Sequence, residues 1–108
     1  MANIGNVEDG DFEAKVLQSE TPVLVDFWAE WCVPCHMVSP VVEEIGSEQA
    51  GLSVAKLNVD DNPEMTMKYS VMSIPSLILF KAGVEIARVV GARPKDAILK
   101  EIDPHIAA

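Results

Sequence analysis

The sequence predicts an α/β fold, a central mixed β-sheet flanked by helices on both faces. Short apolar runs alternate with stretches of helical periodicity through the first two thirds of the chain. A strand–turn–strand pattern follows, and then one last amphipathic segment. Alternation of this kind implies parallel strands linked by covering helices, and the hairpin adds antiparallel strands to the same sheet. The 108 residues fit one domain, read as 1–108. A chain of that length can bury a core without staples or a metal.

Each element has its own signal. Phe12, Val16 and Leu17 mark an early helix. Val23-Leu24-Val25-Asp26-Phe27-Trp28 is a short apolar run of the kind that forms a strand buried on both faces. Met37, Val38, Val41, Val42 and Ile45 recur at helical spacing, so a helix is expected from Pro34 to Glu48. Pro34 suits the first turn, whereas Pro40 cannot bond the carbonyl of His36 and should kink the helix. Leu52 to Val59 reads as another strand. Asn62 is placed as the cap of a short helix that starts at Pro63 and runs to about Tyr69. Ser76–Lys81 and Val84–Val90 form a hairpin around Ala82-Gly83. Pro94 opens the last helix, with Ile98, Ile102 and Ile106 on one face.

Composition narrows the function. Hydrophobic residues are 49% of the chain and charged residues 23%, as in a globular protein. The net charge of −9 disfavours nucleic acid and serves solubility. No apolar run approaches the roughly 20 residues that cross a bilayer, so no membrane association is expected. The first fifteen residues lack a basic start and an apolar stretch, so the expected location is cytoplasmic.

The two cysteines, Cys32 and Cys35, are the most informative residues. A disulfide closing so short a loop stabilises by only about 2 kcal/mol in the chain-entropy picture. Chemistry therefore explains the pair better than stapling. They stand between a predicted strand and a predicted helix, the context in which a CxxC motif is redox-active. One helical turn brings their Cα atoms within disulfide range, about 4.4–6.8 Å. Cys32 at the helix start faces unpaired N–H groups and the positive dipole end, which favour a thiolate, the nucleophilic form. Cys35, a turn inside, is placed to resolve a mixed disulfide. A metal site is disfavoured: Cys32, Cys35 and His36 offer three ligands where structural zinc takes four.

Asp26 interrupts an apolar strand. Burial should push its pKa upward, which suits a proton acceptor; a structural polar residue with a local partner explains it equally well. Lys56, in the middle of the next strand, is either its partner or an ordinary edge-facing lysine. Ile74-Pro75 precedes a strand, and sequence physics alone does not make that bond cis, since about 5–6% of such bonds are.

The segment Val25-Asp26-Phe27-Trp28-Ala29-Glu30-Trp31-Cys32-Val33-Pro34-Cys35 resembles the active-site segment of the thioredoxin family. Pro40, Val54-Ala55-Lys56-Leu57-Asn58-Val59-Asp60, Asn62-Pro63, Ile74-Pro75 and Val90-Gly91-Ala92 extend the resemblance over nearly the whole chain. It implies the thioredoxin fold and a protein-disulfide reductase, with Cys32 attacking a target disulfide and Cys35 releasing the product. It further implies proton relay by Asp26 with help from Lys56, and a cis Pro75. Trp28 would lie beneath the site, although ordinary core packing accounts for it as well. Trp31, Val33, Pro34, Ile74, Pro75, Gly91 and Ala92 would form an apolar face for disulfide-containing target proteins. No G-x-G-x-x-G fingerprint is present, so no cofactor is expected and electrons would come from a separate thioredoxin reductase. A monomer is expected. An oxidase or isomerase of the same fold and a redox-independent binding module are the alternatives. Some positions depart from the family pattern: Val33 replaces a typical glycine, His36 a lysine or arginine, Met72-Ser73 a frequent Arg-Gly pair, and Ser76 a threonine.

Overall fold

The computed structural model describes residues 2–106. The central strand is β2 (Val23–Trp28), whose apolar run is buried on both faces as its sequence requires. Around it lie β1 (Ala2–Asn6), β3 (Ser53–Asn58), β4 (Ser76–Lys81) and β5 (Val84–Val90), in the order β1-β3-β2-β4-β5. β1 and β2 run parallel to β3, whereas β4 is antiparallel to both β2 and β5, so the sheet is mixed. The helices are α1 (Val33–Glu48), α2 (Pro63–Lys68) and α3 (Lys95–Ile106), and the early helix expected from sequence is a short π-helical segment at Glu13–Leu17.

Strand pleating divides the interior into two cores. Leu24, Val54, Leu77 and Leu79 face one side, where they meet Val38, Val42 and Ile45 of α1 and Ile98 and Ile102 of α3. Val25, Phe27, Ala55, Leu57, Ile78 and Phe80 face the other, against Phe12 and Val16, with Met65 and Tyr69 packed alongside. Phe80 meets the rings of Phe12 and Tyr69 edge-on, with centroids 5.4 Å and 4.9 Å apart. The α1 helix continues past Pro40, whose ring faces solvent.

The hairpin closes where its sequence predicts, with Ala82 and Gly83 both at positive φ (54° and 82°), the left-handed conformation of a two-residue turn that matches strand twist. Strand β1 is an addition to the sequence reading. Its ANIGN sequence has a single large apolar residue, and pairing with β3 supplies through the backbone what the side chains do not announce. The register slips between Asn3 and Gly5, where Gly5 takes φ 87°.

Capping of α2 also corrects the sequence reading. Asn62 occupies the cap position, but its side chain makes no capping bond. Its Oδ1 instead accepts from the Asp9 amide at 2.7 Å, and its Nδ2 donates to the Asn58 carbonyl at 3.0 Å. Asp9 does the capping from a distant part of the chain: its carboxylate accepts from the amides of Glu64 (3.1 Å) and Met65 (2.9 Å). At the other end Arg88 of β5 donates to the carbonyls of Tyr69 (2.6 Å) and Ser70 (3.3 Å) while holding Glu85 at 2.8 Å. A helix of six residues is too short to persist alone, so these tertiary contacts hold it. Asp9→Ala is expected to lower unfolding free energy by about 1–2 kcal/mol in urea titrations. An unmoved midpoint would show that the cap contributes nothing.

Candidate active site

The site is built where β2 turns into α1. The chain leaves Trp28, bends through residues 29–31 with the Cys32 amide bonded to the Ala29 carbonyl (3.2 Å), and enters the helix at Cys32. Cys32 is itself the N-cap, in extended conformation (φ −90°, ψ 103°). Its sulfur takes the place usually held by a serine or aspartate oxygen and accepts from the Cys35 amide at 3.2 Å. Pro34 has no N–H, so it withdraws no donor from the first turn. The two Cα atoms are 5.3 Å apart and the sulfurs are joined as a disulfide. Both cysteines are recessed, Cys32 at 4% and Cys35 at 1% exposure, while Trp31 and Val33 on either side of Cys32 stand out at 67% and 70%. Ala29, Trp28, Val59 and Ile74 pack around the pair. Among the described residues no group of acidic, histidine and cysteine side chains is placed to hold a metal.

Asp26 lies two residues before Trp28 and so on the same face of β2, the face that α1 covers. It is fully buried, and neither carboxylate oxygen has a hydrogen-bond partner. Burial raises its pKa to about 7; Lys56 pulls it down and Glu43 of α1 pushes it further up. The Trp28 indole N–H is the other buried polar side-chain group without a partner among the described residues. Both stand on β2, and Trp28 packs against the disulfide.

Lys56 is directly across from Asp26 in the β2–β3 register. Its ammonium, however, sits over the Trp28 ring, 4.5 Å from the centroid, and forms no ion pair with the carboxylate. The structure thus brings Lys56 to Asp26 without the direct pairing that sequence left open.

The opposite wall comes from the segment before β4. The Ile74–Pro75 peptide is cis, Pro75 is buried, and its carbonyl accepts from the Gly91 amide at 2.8 Å. Cys32 Sγ lies 3.9 Å from the Ile74 carbonyl oxygen. Ala92, next to Gly91, is exposed, as are Val33 and Pro34 across the disulfide. A groove of about 330 Å³ opens beside these residues, lined by Trp31, Val59, Thr66, Val71, Met72, Ser73 and Ile74. Trp31 is fixed at its edge by an indole bond to Asp60 (2.8 Å). Of these lining residues, sequence singled out only Trp31 and Ile74 for the face. The rest come from just after β3 (Val59), from α2 (Thr66) and from the α2–β4 connection, and sequence marked only Met72 and Ser73 among them, as a departure from the family's frequent Arg-Gly pair. A larger cleft of about 590 Å³, between α1 and the β1–β3 edge, contains neither cysteine.

His36 forms a clamp that sequence did not anticipate. Its Nε2 donates to the Glu30 carbonyl at 2.7 Å, and its ring meets Trp28 edge-on, so the first turn of α1 grips the loop that delivers Cys32.

Two sulfurs that close a disulfide at the mouth of a helix, on a mixed sheet of this topology, can trade that bond with another disulfide; the chain is a thiol–disulfide oxidoreductase. Relatives agree with this class. The thioredoxin family profile covers residues 3–104. A thioredoxin of Mycobacterium bovis is 57% identical over 97 residues, covering 89% of this chain and 84% of that protein. Thioredoxin 1 of a Nostoc strain is 45% identical over 107 residues, 98% of this chain and all of the relative. The bifunctional thioredoxin reductase/thioredoxin of Mycobacterium leprae is 57% identical over 97 residues, which make up only 21% of its length. The chain belongs to the thioredoxin family.

Asp26 gives the site a stability signature. Its carboxyl holds a proton up to about pH 7 in the folded chain, against an ordinary value of 3.8. Between those values the folded state binds the proton and the unfolded state does not, so stability falls as pH rises. The accumulated cost above pH 7 is on the order of 4 kcal/mol. Asp26→Asn, which cannot ionise, should therefore raise stability by several kcal/mol at pH 8.5 and hardly at all at pH 4. Denaturant titrations across that range check it, and a gain independent of pH would contradict the assignment.

Proposed function

We propose that the protein is a cytoplasmic, monomeric protein-disulfide reductase, a single thioredoxin domain recharged by a separate thioredoxin reductase. One observation carries the reading: the Cys35 amide points at Cys32 Sγ where α1 begins. In the reduced protein that bond and the helix dipole favour a Cys32 thiolate. The thiolate attacks one sulfur of a target disulfide, forming a mixed disulfide and expelling the other target sulfur as a thiolate. Cys35, after losing its proton, attacks Cys32 Sγ. The target leaves as a dithiol carrying two electrons more, and Cys32–Cys35 remains as the disulfide.

Asp26 takes the Cys35 proton in this scheme. A carboxyl that titrates at about 7 can accept and return a proton near neutral pH. Lys56 acts on it through its charge rather than by direct contact. The apolar face formed by Trp31, Val33, Pro34, Ile74, Gly91 and Ala92, with Pro75 recessed behind it, receives the target, and exposed apolar surface of that kind suits a partner. The Mycobacterium leprae relative, named for both a reductase and a thioredoxin, supports a reductase as electron source. No helix among the described residues is long and apolar enough to cross a membrane, in keeping with the proposed location.

Reduction of insulin by NADPH and a thioredoxin reductase tests the proposal. The wild type should turn over, Cys32→Ser should be inactive, and Cys35→Ser should accumulate covalent mixed disulfides with targets. A Cys35→Ser variant that binds its partners without forming such adducts would favour a redox-independent binding module instead.

A further inference from the structure

The chain carries seven sulfur atoms, two in cysteines and five in methionines. Oxidation leaves no lasting mark on the cysteines. A peroxide that oxidises Cys32 to a sulfenic acid is answered by Cys35, which displaces water and forms the same disulfide that turnover forms. A thioether has no such neighbour. Peroxide transfers one oxygen to it, the O–O bond breaks, the sulfur gives up two electrons, water leaves, and the sulfoxide persists until a methionine sulfoxide reductase removes it.

Methionine is usually a buried residue, yet Met37, Met67 and Met72 are 67%, 79% and 92% exposed. Of these three only Met72 lines the groove beside Trp31 and Ile74. It is held there. The connection that carries it starts at Ser70, in a left-handed conformation (φ 53°), and the preceding helix end is fastened by Arg88 to the Tyr69 and Ser70 carbonyls. A thioether is flexible and apolar and can mould to varied target side chains. A sulfoxide is strongly dipolar and must be stripped of water before a target can cover it. Met72 is 92% exposed and neither cysteine lines the groove with it, so its oxidation leaves the exchanging sulfurs as they were.

We infer that Met72 is a peroxide-sensitive modification site: conversion to its sulfoxide weakens docking of protein disulfides and spares the dithiol chemistry. The inference rests on the docking face proposed above, whose Trp31 and Ile74 also line the groove that holds Met72.

The test treats the oxidised protein, whose cysteines are protected as the disulfide, with hydrogen peroxide. Peptide mass mapping then locates the added oxygen, and dithiothreitol reopens the disulfide before assay. Met72 should gain oxygen ahead of the half-buried Met65. The KM for insulin should rise about fivefold, the effect of losing one apolar contact, while the rate with a small aromatic disulfide stays unchanged. In Met72→Leu, which retains Met37 and Met67, the ratio of treated to untreated KM should be one. An unmodified Met72, an unmoved KM despite the sulfoxide, an equal loss with the small disulfide, or the same rise in Met72→Leu each overturns the inference. Trp31→Ala separates the two levels. If it raises the insulin KM while the sulfoxide does not, the Met72 inference alone fails; if neither does, the docking reading fails with it.

Discussion

A single hydrogen bond, from the Cys35 amide to Cys32 Sγ, organises the site. Helix starts leave amide donors unsatisfied, and most helices meet them with a hydroxyl or carboxylate oxygen. Here the cap is a sulfur whose charge changes with redox state. In the disulfide it is a weak, neutral acceptor; as a thiolate it is an ionised one, and ionised acceptors bind donors more strongly. The helix therefore favours the nucleophilic form of Cys32 over the protonated thiol. Capping, which elsewhere only stabilises a fold, here couples the fold to the chemistry.

The sheet serves that bond by holding two sides of the site at fixed separation. Strand β2 delivers the cysteine loop and, through β4, is paired to the segment that carries the cis Ile74–Pro75 peptide. The Gly91 amide, donating to the Pro75 carbonyl, ties the end of β5 to the same place. His36 adds a brace from within α1 to the Glu30 carbonyl. Residues distant in sequence thus converge because β2 and β5 end, and the antiparallel β4 begins, on one edge of the sheet, beside a helix start.

What sequence revealed and what it hid divide along physical lines. The hairpin boundaries at Ser76–Lys81 and Val84–Val90 were legible because the turn chemistry is local. The CxxC site was legible because spacing alone places the cysteines one helical turn apart. Strand β1 was not, since backbone pairing holds an edge strand that has little apolar pattern. Asn62 holds the cap position of α2 as sequence placed it, but the capping bonds were not legible because their acceptor, Asp9, is brought in by tertiary structure. Likewise the groove draws its walls from Trp31, Val59 and the 66–74 segment, and no periodicity links them. The cis peptide was legible only through family resemblance, for physics gives low odds to any one such bond.

The Asp26–Lys56 pair shows why facing positions in a strand register are not enough to make an ion pair. The two stand opposite on β2 and β3, where an ion pair would be the obvious outcome. Such a pair would stabilise the ionised carboxylate and draw its pKa back toward the ordinary carboxylate range. Lys56 instead spends its charge on the Trp28 ring. Asp26 is left buried and unpartnered, a costly state that holds its titration near 7. The two apolar cores, one on each face of the sheet, offset that cost. Stability and the proposed proton relay are opposed at this residue: the contact that would best stabilise the strand would also remove a group able to exchange protons at neutral pH.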